Sequence, residues 1–492
     1  MSIQAALNTA ASSLDMEQQQ ANVIAGNIAN ASTPGYVTES LPQLERVSGG
    51  QSTGVMAGVL QRLGNEALAA TANQASGQQS YSQAMVTSLT NYTNVLGQPT
   101  DSSSLPAQLS AFSQALTTLS ASPNDTSLQS GAVTAAQSLV STFNSLSTAV
   151  ASGREQADQT IGSDVTTVNQ TLDQLAQNQA ALQSASAAGQ SIASFQDTQD
   201  KLLSTLSQYL PVKVDQSGNN GITVTTDGGT TLYDGTVHAL SFTPTPNIPS
   251  ELQQTADPAN GYSGGLSAVT VDGQPVAISQ SGDIAAQLQL RDVTLPQFGK
   301  QLDQLAGNTI TAFQQADPTV GSGQTGIFTD AGAAVDPNNP AQVPGLAANI
   351  AVNAAVDPTQ GGEAWRMVTG AQAATQGTNT GDNSTLLALI QGLNTDQSYG
   401  ASTGLQGAMT LTDAVSQIAG QQQDTLNTWT ANNTSRTTQS QAAQTALSNA
   451  TGVNVDDELQ RLITVQATYA ATTQVIQATT RMLDALNQIS MA

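Results

Sequence analysis

Apolar residues recur every three or four positions at both extremities of this chain, and that spacing commits both ends to helix. Ile3, Leu7, Ala10, Leu14, Ala21, Ile24 and Ile28 keep it through residues 1–30, interrupted only at Glu17. Residues 453–489 repeat it with Val455, Leu459, Leu462, Tyr469, Ile476, Leu483 and Leu486. Side chains spaced this way form one stripe along a helix, the seam that two helices bury against each other. At 1.5 Å per residue each terminal helix should be about 45–55 Å long. Such stripes usually serve a chain's own core. Their place at both extremities of an Ala-rich body also points to use between subunits, so assembly is expected before catalysis.

Charge narrows the partners. The 492 residues carry 35 acidic and 11 basic side chains, a net charge of −24, and Lys201, Lys213 and Lys300 are the only lysines. Nucleic acid and anionic membrane surfaces need clustered bases, so both are excluded as expected partners. The absence of cysteine removes any disulfide framework, thiol nucleophile or Cys-type zinc site. No apolar run approaches the roughly 20 residues of a membrane helix. Arg46 is the first positive side chain, so no ordinary signal peptide is expected, and export would need another route. Aromatics make up only 3%, which favours long helices packed through Ala and scattered Leu over several thick cores.

The first helix should stop near Asn30, where Thr33-Pro34-Gly35-Tyr36 reads as a type II turn. Residues 37–62 read as extended or looped. Helices are expected at about 65–96, 105–121, 127–151, 154–209, 283–316, 346–355, 361–375, 382–394 and 407–450. Asn454 sits where the last helix needs an N-cap, with Asp456, Asp457 and Glu458 in its first turn. From Pro211 the pattern turns to strand. Ile222–Thr225 leads into Asp227-Gly228-Gly229, and Ala268–Val271, Asp272-Gly273 and Val276–Ile278 form the clearest hairpin. Residues 244–265, rich in Pro, Asn and Gly, read as exposed loop. The expected fold is mainly α with three parts. Residues 1–45 plus 453–492 make a terminal coiled-coil polymerisation domain, 46–210 plus 283–452 an inner discontinuous helical bundle, and 211–282 a small β-rich insertion.

Chemistry has little to work with. Gly261-Tyr262-Ser263-Gly264-Gly265 matches a G-x-S-x-G elbow, but its flanks are loop and the only histidine, His238, lies upstream. Asp215 to Thr226 fits a calcium loop poorly, since its glycine falls one position late and its twelfth residue is Thr226, so a β-turn is expected. No phosphate loop is present. Catalytic, cofactor-binding and metal residues are therefore all expected to be none.

Ala25-Gly26-Asn27-Ile28-Ala29-Asn30-Ala31-Ser32-Thr33-Pro34-Gly35-Tyr36 resembles the N-terminal signature of bacterial flagellar axial proteins: rod, hook and hook-associated. The segment with Val455, Asp457, Glu458, Leu459, Leu462, Ile463, Gln466, Tyr469, Ala471, Val475, Ile476, Met482, Leu483 and Leu486 is similar to the C-terminal helix of that family. The Gln/Ala-rich helices over 64–210, Gly452 to Glu458, and Leu295-Pro296 with Leu302 to Ala306 look most like its hook–filament junction members. The resemblance implies a secreted structural homo-oligomer of the bacterial flagellum, exported unfolded by the flagellar type III apparatus. The implied partners are the hook protein, a second junction protein next to the filament, and an export chaperone at the C-terminal helix. The implied subunit-interface residues are Ile3, Leu7, Leu14, Ile24, Ile28, Asn30, Pro34, Gly35, Tyr36, Val455, Leu459, Leu462, Ile463, Tyr469, Ile476, Leu483 and Leu486. A hook or distal rod protein is the alternative, and an exported wall-hydrolase-like enzyme a third reading.

Overall fold

The computed structural model describes residues 3–48, 51–218, 220–256, 263–336, 344–377, 381–400, 403–405 and 407–491. The chain forms two compact units. A terminal unit comprises Met1–Gln78, Val168–Ala239 and Arg436–Ala492, and a central unit comprises Gln79–Thr167 and Leu240–Ser435. The chain is mainly helical, as its periodicity requires. Helices α1 (Ile3–Asn30), α2 (Glu66–Leu96), α3 (Leu105–Ala121), α4 (Thr126–Ala187) and α5 (Ala193–Tyr209) precede the strands. After them come α6 (Asp283–Gln289), a π-helical turn (Leu290–Thr294), α7 (Leu295–Ala316), the single turns α8 (Leu346–Asn349) and α9 (Arg366–Thr369), then α10 (Ser384–Leu393), α11 (Leu411–Thr451) and α12 (Val455–Met491).

Several expectations give way to local contacts. The break expected near Gly153 is absent, and α4 runs on to Ala187. Gly153 is instead a close-approach position, since a Cβ there would stand 2.9 Å from Leu295 Cδ1. The chain reverses at Gly189, which takes φ +68°. The helix expected over 346–355 is a single turn followed by strand Ile350–Val352, which pairs antiparallel with Phe328–Asp330. Only Arg366–Thr369 is α-helical within 361–375. Among the described residues, 211–282 holds three separate sheets rather than one β body. Val212–Ser217, Gly221–Thr226 and Thr231–Tyr233 belong to the terminal unit, and the other strands to the central unit. The Asp272-Gly273 turn forms as read, with φ of +51° and +78° at its two residues, the signs of a type I′ turn, but it joins Thr270–Val271 to Gln274–Pro275 rather than to a strand over Val276–Ile278.

The few aromatics are concentrated, not spread. Phe112, Phe313 and Phe328 meet with ring centroids 5.1–5.5 Å apart in the central unit, and Tyr92 lies 5.0 Å from Phe298. These rings and the surrounding Leu and Ala make one core, with α7 almost wholly buried through it. Burying a helix on all sides strands its polar side chains, and most are answered, the Gln314 amide oxygen being an exception. Gln301 donates to the Thr403 carbonyl (2.7 Å) and accepts from Gln422, which in turn accepts from the Tyr92 hydroxyl. Asp303 accepts from the Gly345 and Ala347 amides, holding the start of α8.

The Pro/Asn/Gly-rich stretch after residue 244 is pinned rather than loose. Arg154 donates to the carbonyls of Leu252 (2.6 Å) and Arg291 (3.1 Å), while Asp158 and Glu155 accept from the Thr245 and Ile248 amides. The π turn directs Arg291 inward, where it is fully buried, paired with Asp158 at 2.6 Å and Asp292 at 2.7 Å, and bonded to the Ser267 carbonyl. A buried charge pair of this kind is tolerated only when its remaining hydrogen bonds are satisfied.

Two buried carboxylates give the central unit a pH signature. Burial, then the neighbouring Asp283 carboxylate, pushes Asp164 up to about 7. Burial pushes Asp303 up to about 6 against the two amide bonds it accepts. The folded state therefore holds these protons more tightly than the unfolded chain, where an aspartate titrates near pH ~3.9. Their stabilising contribution is complete below that pH and is lost as pH rises through about 6 to 7. Both tryptophans, Trp365 and Trp429, lie in the central unit, so urea unfolding followed by tryptophan fluorescence reads that unit. Asp164→Asn should flatten the fall in the urea midpoint between about pH 5 and 8. A slope equal to the parent's would contradict this assignment.

Candidate functional site

The N-terminal signature folds into a knot built on Asn27. Its side chain is fully buried on the last turns of α1 and reaches three groups beyond the helix. The amide nitrogen donates to the Glu39 carbonyl (2.9 Å), and the amide oxygen accepts from the Tyr36 hydroxyl (2.9 Å) and the Glu39 amide (3.1 Å). Asn30 donates back to the Gly26 carbonyl and accepts from Thr33 Oγ1, closing the helix end. The Tyr36 amide then donates to the Thr33 carbonyl with Gly35 at φ +76°, the expected type II turn. Gly35 is also a close approach, since a Cβ there would stand 2.9 Å from Lys201 Cε. Burial, then the Glu39 charge, pushes the Tyr36 hydroxyl up to about 12.

Beyond the turn the chain is fastened on two sides. Arg62 forks between Asp197 and Asp200 of α5 at 2.5 Å each, and the Thr38 amide donates to the Thr451 carbonyl (2.9 Å) just ahead of α12. A cleft of about 1160 Å³ lies beside the turn, with Pro34, Tyr36, Lys201, Asn73 and Asn454 among its lining residues. Asn454 caps α12 as its sequence requires, accepting from the Asp456 amide at 3.1 Å.

Helices α1 and α12 pack on each other along their lengths, and the contacts fix their direction. Thr38, held beside the last turns of α1 by the Asn27–Glu39 bonds, meets Thr451 ahead of α12, and Glu17, further back on α1, meets Thr472, further along α12 (3.1 Å). The pair is therefore antiparallel. A hairpin, Gln43–Ser48 with Gln51–Ala57, lies against α1, and the Val55 amide donates to Ser12 Oγ at 3.2 Å.

The residues singled out in the sequence divide into three groups. Ile24 is buried. Ile3, Leu7, Leu14, Ile28, Asn30, Tyr36, Leu462, Ile476 and Leu483 are half-buried. Pro34 and Gly35 are exposed, as are Val455 (39%), Leu459 (44%), Ile463 (66%), Tyr469 (43%) and Leu486 (50%). Val475 and Met482 of α12 are exposed as well. Leu44, Val47, Met56, Val59 and Leu63 in and after the hairpin were not among the residues read as a site, yet they too are open to solvent. The only hint of them was an extended stretch with isolated apolar residues. Of sixteen large apolar side chains exposed among the described residues, twelve lie on α12 or over 44–63.

The other motifs find no chemical setting. Gly261 and Tyr262 lie outside the described residues. Ser263 sits in a two-residue parallel pairing with Leu252, without the strand–turn–helix that a nucleophile elbow needs. His238 lies 3.4 Å from Asp234 in the terminal unit. Asp215–Ser217 is paired with the strand that starts at Gly221, Ser217 standing opposite Gly221, and Asn219 lies outside the described residues. Among the described residues no group of three His, Cys, Asp or Glu side chains is placed to hold a metal, and no helix is long and apolar enough to cross a membrane.

Three family models match along the chain: the flagellar hook-associated protein FlgK helical domain at residues 89–326, the flagellar basal body rod FlgEFG protein C-terminal model at 443–489, and the flagella basal body rod protein model at 7–36. Flagellar hook-associated protein 1 of Salmonella typhimurium is 26% identical over 310 residues, 61% of this chain and 54% of that protein. Its Bacillus subtilis counterpart is 26% identical over 230 residues, 44% and 45% of the two chains. The chain thus spans about half the length of the curated relatives it matches. The solved structure of the flagellar hook junction protein FlgK from Burkholderia pseudomallei superposes with a TM-score of 0.42 at 23% identity, covering 53% of this chain and 46% of that one. The chain is thus similar to flagellar rod, hook and hook-associated proteins at both ends and through its middle. Its likeness is to FlgK in particular, since its helical-domain match and its curated relatives are all hook-associated proteins.

Asn27 holds this site together, so its removal should be felt locally. Asn27→Ala removes the partner of the half-buried Glu39 amide and carbonyl, at up to about 1–3 kcal/mol for each group that water does not reach. Amide exchange over residues 31–42 should accelerate in Asn27→Ala. Asn27→Asp, which keeps the acceptor and loses the donor, should fall between that variant and the parent. Identical exchange in all three would refute the knot.

Proposed function

We propose that this chain is a structural component of the bacterial flagellum that joins hook to filament by self-assembly outside the cell. The observation that carries this reading is the apolar surface α12 leaves uncovered. A lone helix with an open apolar face is marginal in water, and contiguous exposed apolar patches usually await a partner. Further copies of this chain are the proposed cover, with the exposed half of the sequence-read residues, Val455, Leu459, Ile463, Tyr469 and Leu486, contacting neighbours. The half-buried set, Leu462, Ile476 and Leu483 among them, would align α12 on α1 for that purpose.

On this reading residues 1–45 plus 453–492, within the terminal unit, polymerise, and the central unit forms the inner helical body. The subunit travels through the flagellar type III apparatus, with an export chaperone on α12 until it is delivered. It then stands between the hook protein and a second junction protein next to the filament. No catalytic role is assigned. The matches of both chain ends to rod-protein models favour one second reading, a hook or distal rod protein.

A deletion strain separates the two readings. Finished hooks without filaments are the expected phenotype, and absent hooks would favour the second. Ile463→Ser should reduce incorporation at the hook tip while leaving the thermal unfolding of the isolated chain within about 0.5 kcal/mol, as for an ordinary surface change. Leu483→Ala should reduce incorporation as well, against a cost to the terminal unit toward the low end of the ~2–5 kcal/mol seen for buried leucines. Full incorporation of Ile463→Ser would contradict the proposed contact.

A further inference from the structure

Glu17 interrupts the apolar stripe of α1, and the interruption faces inward. The side chain is 5% exposed, inside the packing of α1. One carboxylate oxygen accepts from Ser13 Oγ (3.2 Å) on its own helix and from Thr472 Oγ1 (3.1 Å) on α12, and the other has no partner. Burying a carboxylate with a free oxygen costs stability that a leucine would not. A residue that weakens a seam it could have strengthened calls for another reason.

Thr472 supplies one. Helix α12 has six threonines, and Thr464, Thr468, Thr473, Thr479 and Thr480 each turn the hydroxyl back to the carbonyl four residues earlier in their own helix. Thr472 turns to α1 instead. A slide of α12 by one turn, about 5.4 Å, would bring opposite the carboxylate either Ile476, which offers no donor, or Thr468, whose hydroxyl would have to leave the Thr464 carbonyl. The apolar contacts around it discriminate poorly between such registers, because Leu, Ile, Val and Ala recur at helical spacing along both helices. A single buried polar contact is the device that fixes register where an apolar seam alone does not.

We propose that Glu17 and Thr472 form a register lock, setting the stagger of α12 on α1. Glu17 is a positioning residue: it holds α12 at the one stagger that puts Val455, Leu459 and Ile463 where they are presented outward. That this presentation serves a second copy rests on the assembly role proposed above. The lock itself does not.

The chain has no cysteine, so Gln18→Cys with Ala471→Cys, both exposed positions, accepts two spin labels and no others. Pulsed electron resonance would be recorded on the isolated chain and on assemblies in which labelled copies are diluted in unlabelled protein. The expected result is one narrow distance in the parent assembly. Glu17→Leu and Thr472→Val should each broaden it or add a second distance displaced by about one helical turn. Glu17→Gln, whose amide oxygen still accepts from Thr472, should restore the single distance. A merely structural role would change the stability of these variants without dividing the distances. A narrow, unshifted distance in both Glu17→Leu and Thr472→Val would overturn the lock. If the parent forms no assembly, the junction reading falls, and the same comparison on the isolated chain decides the lock: a parent distance as broad as that of Glu17→Leu would overturn it.

Discussion

The antiparallel contact between α1 and α12 is the constraint on which the terminal unit depends. Two helices of 28 and 37 residues pack along one seam, and one seam covers only part of the apolar surface that α12 carries. Leu462, Ile476 and Leu483 gain partial cover, whereas Ile463, Val475 and Met482 keep half or more of their surface in water. A fold with that imbalance holds its ends together weakly and gains most when something else covers them. Similarity to the flagellar axial proteins fits such an economy of contacts.

Polar side chains do much of the specifying. In the terminal unit Asn27 ties the end of α1 to the returning chain through three hydrogen bonds. In the central unit Gln301, Gln304 and Asn308 reach from α7 to the carbonyls of Ser398 and Thr403. Buried amides can both donate and accept, so a chain rich in Asn and Gln can close loops onto helices with few charges. Where charge is buried, at Arg291 with Asp158, three further bonds, two to Asp292 and one to the Ser267 carbonyl, complete the arginine's fork.

Much of this could be read from residue order. The terminal helices, the turn at Gly35, the Asn454 cap and the Asp272-Gly273 hairpin follow from local signals that tertiary packing did not override. Other features were decided at long range. Gly153 signals a break locally but is a packing position against Leu295, more than a hundred residues away in sequence. Residues 346–355 look helical until Phe328–Asp330 offers Ile350–Val352 an antiparallel partner. The stretch after residue 244 has the composition of free loop, and only the fold brings Arg154, Glu155 and Asp158 of α4 beneath it. At the candidate site, spacing identified the stripes but not which of their residues face inward, because α12 carries apolar residues on more than one face. Glu17 was legible only as an interruption.

The account stands or falls on whether the terminal helices are marginal alone and firm in company. Amide hydrogen exchange, recorded on the isolated chain and on its assembled form, tests this directly. Residues 3–30 and 455–486 should exchange rapidly in the isolated chain while the core of α7 stays protected, and should become protected on assembly. Strong protection of both terminal helices in the isolated, unassembled chain would contradict the account.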